Sequence, residues 1–257
     1  MEIIILSFAA FAVAILTFFS GFGLATVLTP LFMIYFPADL AVSMTGIVHF
    51  FNNLFKLFLV GKKANKGVAL RFGIPAIIAA IAGSWLLISL PASRPLVSYT
   101  LFNQTFDVQL LKLIISLLLI TFASLDLFPR FKRLQFEQNK LPLGGLLSGF
   151  FGGLSGNQGA LRSAFLIKAK LSKEAFIGTT VVVAVLVDFT RLSIYATQFN
   201  ESGLNDNLTL ISSATLAAIA GAYVGDKSLK KVTLRFLQIT IAILLIILSL
   251  ALGSGLI

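Results

Sequence analysis

Apolar residues run along the chain in long blocks separated by short polar or glycine-rich joints. The blocks lie at about 3–19, 24–36, 41–61, 68–90, 108–128, 141–155, 159–170, 175–198, 208–226 and 234–252. Blocks of this length and hydrophobicity predict helices throughout. Crossing bilayer hydrocarbon takes about 20 mostly apolar residues, at a rise of about 1.5 Å each. The blocks at 24–36, 141–155 and 159–170 are too short to cross alone. Each adjoins another block across a break, Ser20-Gly21-Phe22-Gly23 in the first case and residues 152–159 in the second. Lipid offers backbone amides no partner, so non-helical backbone at membrane depth must be buried in protein or line a wet cavity. The two breaks therefore predict re-entrant or broken helical hairpins.

Loop charges give the sidedness, because Lys and Arg collect on the cytoplasmic side. Lys62, Lys63, Lys66 and Arg71 mark one inside loop; Arg130, Lys132, Arg133 and Lys140 a second; Lys227, Lys230, Lys231 and Arg235 a third. Segments 91–107 and 199–207 carry little charge and read as outside. Lys168, Lys170 and Lys173 form a fourth inside cluster. A chain that is inside at Lys140 and inside again at Lys173 must enter the membrane and return between them. The same walk puts Asp39 and Glu2 outside, so the first hairpin enters from the opposite face.

Composition agrees with this pattern. Of 257 residues 58% are hydrophobic and 12% charged, against about 25% charged in a soluble domain. The mean hydropathy of +0.98 excludes an ordinary soluble enzyme. The formal charge of +10 would suggest nucleic acid in a soluble protein, but here it resides in short clusters between apolar blocks, so no nucleic-acid partner is expected. With no Cys and a single His, His49, disulfides, thiolate chemistry and multi-His metal sites are excluded. The start, Met1-Glu2, lacks a basic n-region and a cleavage site, and is expected to be retained.

Each half reads as one hairpin plus three crossing helices, and an odd number of crossings makes the halves antiparallel. An offset of 135 positions aligns Ser20-Gly21 with Ser155-Gly156 and Ser43-Met44-Thr45 with Gly178-Thr179-Thr180. It also pairs Asn53 with Asp188 and Lys56 with Arg191, polar residues within apolar helices. The expected fold class is an all-α polytopic membrane protein with an inverted-topology repeat. Its parts are 1–128, a basic cytoplasmic linker at 129–140, and 141–257.

Lys56, Arg162 and Arg191 lie inside the apolar blocks. A basic side chain at the bilayer centre costs roughly 2.5–3.5 kcal/mol on insertion scales, so all three should face a cavity or a partner. His49, Asn52, Asn53 and Lys56 fall at i, i+3, i+4 and i+7 and share one helix face. Asp188, Arg191 and Tyr195 share a face of the counterpart helix. Two readings stay open: a structural Asp188–Arg191 ion pair with a snorkelling Lys56, or an intramembrane anion site. The string Ser155-Gly156-Asn157-Gln158-Gly159-Ala160-Leu161-Arg162 opens a half-helix. Its free amides, the positive dipole end and Arg162 together suit an anion; the alternative is a hairpin whose glycines only permit close packing. The candidate substrate site comprises Arg162, Arg191, Lys56, Asn157, Gln158, Gly156, Gly159, Gly21, Gly23, Asn53 and Thr180. His49, which titrates nearest neutrality, and Asp188 are the candidates for proton coupling. No catalytic motif, metal site or cofactor is expected. Trp85, Tyr35 and Tyr99 read as core or interfacial aromatics.

These residues resemble the sulfite exporter TauE/SafE family of membrane permeases. The resemblance spans nearly the whole chain. It rests on two copies of a Gly-rich break, an apolar half-helix, a short turn and a Thr-bearing helix entry: Ser20-Gly21-Phe22-Gly23 through Pro30 to Thr45, and Gly152-Gly153-Leu154-Ser155-Gly156-Asn157-Gln158-Gly159-Ala160-Leu161-Arg162 through Phe165 to Thr180. The first copy departs from the family's commoner triple-Gly break at Phe22 and Leu24. The resemblance implies a secondary transporter of sulfur oxyanions or organosulfonates such as sulfite, usually an exporter, in a prokaryotic cytoplasmic membrane. The alternative carried beside it is an anion-selective channel, in which the same basic groups line a pore. The partners expected are a small anionic substrate and membrane lipid, with a homodimer left open.

Overall fold

The computed structural model describes residues 1–20, 23–90, 95–127, 136–198, 203–228 and 234–257. Ten α-helices stand among them: α1 Glu2–Ser20, α2 Leu24–Phe32, α3 Ala38–Val60, α4 Lys66–Ser89, α5 Leu110–Leu127, α6 Leu141–Ser155, α7 Gly159–Leu166, α8 Lys173–Tyr195, α9 Leu208–Ser228 and α10 Leu234–Gly253. Local chemistry sets several ends. Asn65 accepts from the amide of Val68 to start α4, and Ser172 accepts from that of Ala175 to start α8. Gly156 stops α6 in the left-handed region at φ +77°. The half-helices α2 and α7 end four residues short of their apolar blocks, which finish as turns. Among the described residues, four segments are long and apolar enough to cross a membrane: Ala38–Lys63, Lys66–Ser89, Lys173–Gln198 and Asn205–Lys227.

Segment 91–107, expected only as an outside connection, holds an antiparallel hairpin of β1 Pro95–Leu101 and β2 Gln104–Gln109. Phe102 and Asn103 turn it, both at positive φ, the conformation that a two-residue hairpin loop requires. The all-α class holds otherwise.

The packing has a twofold pattern. α1 lies along α9 as α6 lies along α4, α2 packs on α3 as α7 packs on α8, and α3 meets α9 as α8 meets α4. The counterparts α3 and α8 run antiparallel: Gly46 abuts Arg191, His49 meets Asp188, and Gly178 sits against the carbonyl of Val60. Counterparts α5 and α10 do the same, with Gly253 on Ser116 and Arg235 donating to the carbonyl of Leu127. The close pairs are parallel and backbone to backbone. A Cβ at Gly145, Gly149 or Gly153 of α6 would strike the carbonyl of Phe72, Ala76 or Ala80 on α4. These three glycines of α6 serve packing.

The loop ends sort as the charges predict. One end joins Asn65 to Thr179 and brings Gly144 onto Phe165, whose ring stacks on Phe136 at 4.1 Å. The start of α6 and the end of α7 thus lie together, so the second hairpin returns to the end it left. The other end joins Leu40 to Gly203, the Tyr99 hydroxyl to the carbonyl of Ser254, and Ser7 to Ser213. Arg130, Lys132, Arg133, Lys230, Lys231 and Glu201 lie outside the described residues. Trp85 proves exposed, on the outer surface of α4 rather than in the core.

Candidate functional site

The centre of the molecule is polar. His49, Asn52, Asn53 and Lys56 of α3, Asn157, Gln158 and Arg162 of the second hairpin, and Asp188 and Arg191 of α8 are all buried. Helical spacing on α3 and α8 brings each set to one face, and the antiparallel contact of the two helices turns those faces together. Asp188 is the hub. Its Oδ2 lies 2.6 Å from His49 Nδ1 and accepts from Asn53 Nδ2 at 3.0 Å. Its Oδ1 accepts from Arg191 Nε at 3.0 Å and, at 3.5 Å, from Gln158 Nε2. Asn53 and Asp188, paired by the 135-residue offset, therefore touch, as residues on facing counterpart helices can.

The hairpin tips meet beside this hub. A Cβ at Gly156 would stand 3.3 Å from that of Ala25 and 2.8 Å from Arg191 Nη1. A Cβ at Gly23 would stand 3.2 Å from His49 Nε2. Both positions admit a bare backbone close to charged side chains. The Ser148 hydroxyl donates to the carbonyl of Gln158, and the Tyr195 hydroxyl donates to that of Gly153, pinning the second hairpin to itself and to α8. Asn157 Nδ2 donates to Ser155 Oγ at 3.1 Å.

Charge at the centre does not balance. Lys56, Arg162 and Arg191 share the single buried carboxylate of Asp188, a formal excess of two positive charges with His49 neutral among the described residues. Asp188 is taken up by Arg191, whose Nη2 also lies 2.9 Å from Oδ1. Arg162 is 3% exposed, and its Nε and Nη1 have no hydrogen-bond partner among the described residues. Lys56 lies over the Phe18 ring at 5.0 Å, inside the protein rather than reaching for the interface. Asn157 Oδ1 and Gln158 Oε1 are likewise without partners among the described residues. A buried guanidinium with open donors has the planar, charged fork that suits an oxyanion.

The candidates do not all gather. Thr180 stands eight residues, about 12 Å along α8, from Asp188, and its hydroxyl is unpartnered among the described residues. Its neighbour Thr179 is used in packing, as the acceptor for the amide of Asn65. Gly159 is buried at the start of α7, and Gly21 lies outside the described residues. Thr29 and Thr45 bond each other at 2.8 Å, Thr45 also reaching its own helix. Sequence reasoning set Tyr195 on the right face without its role as a tie to the hairpin, and nothing in the sequence marks Ser148. Among the described residues no group of acidic, His or Cys side chains forms a metal site.

The family model described as Sulfite exporter TauE/SafE matches residues 6–252. No curated protein and no solved structure matches the chain. The family match covers both hairpins, every crossing helix and all the polar residues of the centre. On that match, the chain is a multi-pass membrane protein that belongs to the sulfite exporter TauE/SafE family of transporters.

Proposed function

We propose that this permease exports a small sulfur oxyanion or organosulfonate, such as sulfite, across a prokaryotic cytoplasmic membrane by alternating access. The anion is held between Arg162, Arg191, Lys56 and the amides of Asn157 and Gln158. The observation that carries the reading is Arg162, buried with open donors and, among the described residues, no carboxylate of its own. A planar guanidinium matches an oxyanion with two parallel hydrogen bonds, and the start of α7 adds free backbone amides and its positive dipole end. The halves 1–128 and 141–257, joined by the basic linker 129–140, rock against each other about the tips. Antiparallel counterparts and meeting breaks support this reading. The His49–Asp188 pair is the proposed proton carrier, with His49 at 2.6 Å from the carboxylate.

The test is thermal unfolding of the purified protein with sulfite, thiosulfate, sulfate, sulfoacetate, taurine and small carboxylates, because a ligand of the folded state raises its stability. The binding anion is expected to stabilise the parent. Arg162→Gln should weaken it by about ten-fold to over a hundred-fold, the worth of one charge-assisted hydrogen bond. Arg162→Lys should restore part of the loss. Stabilisation that survives Arg162→Gln removes Arg162 from the site. In proteoliposomes saturable flux driven by a proton gradient supports the carrier, whereas unitary currents would make it a channel.

A further inference from the structure

Asn52 lies in mid-α3 and is fully buried, and neither Nδ2 nor Oδ1 has a hydrogen-bond partner among the described residues. A buried amide in that condition has lost the hydrogen bonds of water and regained none. The architecture does not demand it. The position related by the 135-residue offset is Val187, equally buried and packed in the apolar cluster around Phe72 and Phe165. An aliphatic side chain thus fills the same place in the other half.

The direction of Asn52 is informative. At 3.6 residues per turn it lies about 60° around the helix from His49, on the side away from Asn53. His49 and Asn53 face Asp188 on α8. On the side of Asn52, Thr45 bonds Thr29 of α2 and Lys56 lies over Phe18 of α1. By helical position the amide therefore looks toward the first hairpin, between a hydroxyl pair and an ammonium. The other buried polar groups of the centre lie on the second half and on α3's inner stripe. Asn52 supplies the wall on the side of the first hairpin.

We infer that Asn52 contacts the transported anion, donating from Nδ2 one turn from Lys56; this rests on the anion reading above. A residue in that role is unnecessary to the ligand-free fold and needed for the ligand. A residue with a structural role behaves the opposite way.

The experiment measures thermal unfolding of the full chain, parent and variant, without ligand and with sodium sulfite, sodium thiosulfate or taurine. Asn52→Leu, which keeps the four-atom outline branched at Cγ, should leave the ligand-free midpoint unchanged or raised. It should raise the anion concentration needed for half-maximal stabilisation by about ten-fold to a hundred-fold. Asn52→Asp, which keeps the shape and adds a negative charge, should weaken the anion at least as much. A lowered ligand-free midpoint in Asn52→Leu, or an unchanged anion requirement, overturns the assignment. If Arg162→Gln abolishes stabilisation while Asn52→Leu does not, only Asn52 leaves the site. If Arg162→Gln has no effect, or if none of the three anions stabilises the parent, the anion reading falls and Asn52 falls with it.

Discussion

Asp188 is one carboxylate serving four donors: His49, Asn53, Gln158 and Arg191. Its pairing with Arg191 makes the structural ion pair real without exhausting the positive charge, since Arg162 and Lys56 have no such partner among the described residues. Removing one member of a buried pair leaves the other charge uncompensated, at a cost of about 3–5 kcal/mol. Asp188→Asn and Arg191→Gln should each lower the unfolding midpoint steeply, and the double variant should recover much of the loss. A double-mutant cycle should return a coupling energy larger than either single loss; additive losses would mean the two do not act as a pair. Anion binding by the double variant separates the roles of Arg191. Recovered stability with normal binding makes Arg191 structural only, and recovered stability without binding assigns its charge to the substrate.

Among the elements, the α4–α6 contact depends most on the absence of side chains. Gly145, Gly149 and Gly153 form a stripe at intervals of four, and α4 lays its backbone carbonyls directly on it. Gly149→Ala places a Cβ on the Ala76 carbonyl, which can move only if the helices part. The expected loss is about 1–3 kcal/mol, seen as a lower unfolding midpoint in detergent. Gly67→Ala is the control, being on the exposed first turn of α4, where a Cβ would meet only Asn65 Oδ1 at 3.5 Å, an ordinary contact. It should be neutral or stabilising by about 0.5–1 kcal/mol. Equal stability of Gly149→Ala and the parent would refute the close contact. The helices themselves were legible, because long apolar blocks leave the backbone no other way to satisfy its amides in lipid. The hairpin at 95–109 was not: its turn is Phe102-Asn103 rather than a glycine dipeptide, and alternation over so short a span is a weak signal.

For the whole molecule, the positive-inside pattern and the packing agree on which loops share an end. The chain has no cysteine, so single cysteines can report sidedness to an impermeant maleimide in intact cells without background. Phe102→Cys and Leu208→Cys should be labelled from outside, while Lys63→Cys and Lys168→Cys should react only after the membrane is opened. Labelling of Lys168→Cys from outside would turn 141–166 into a full crossing and end the inverted arrangement of the two halves.

By itself the sequence determined the membrane class, the ten helices and the two breaks, and grouped the charged loops by end. All of these follow from local properties: hydrophobicity per residue, helix length against bilayer thickness, and charge near a helix end. It also named most of the buried polar residues, because a charge in an apolar block has few explanations. Which groups meet was decided only by the tertiary structure. Asp188 finds His49 and Asn53 across two antiparallel helices, Tyr195 ties down Gly153, Thr180 is left aside, and the buried amide of Asn52 has no partner among the described residues. These outcomes depend on helix register and rotation, which are set by backbone contact at small residues scattered over the whole chain. No window of sequence contains that information.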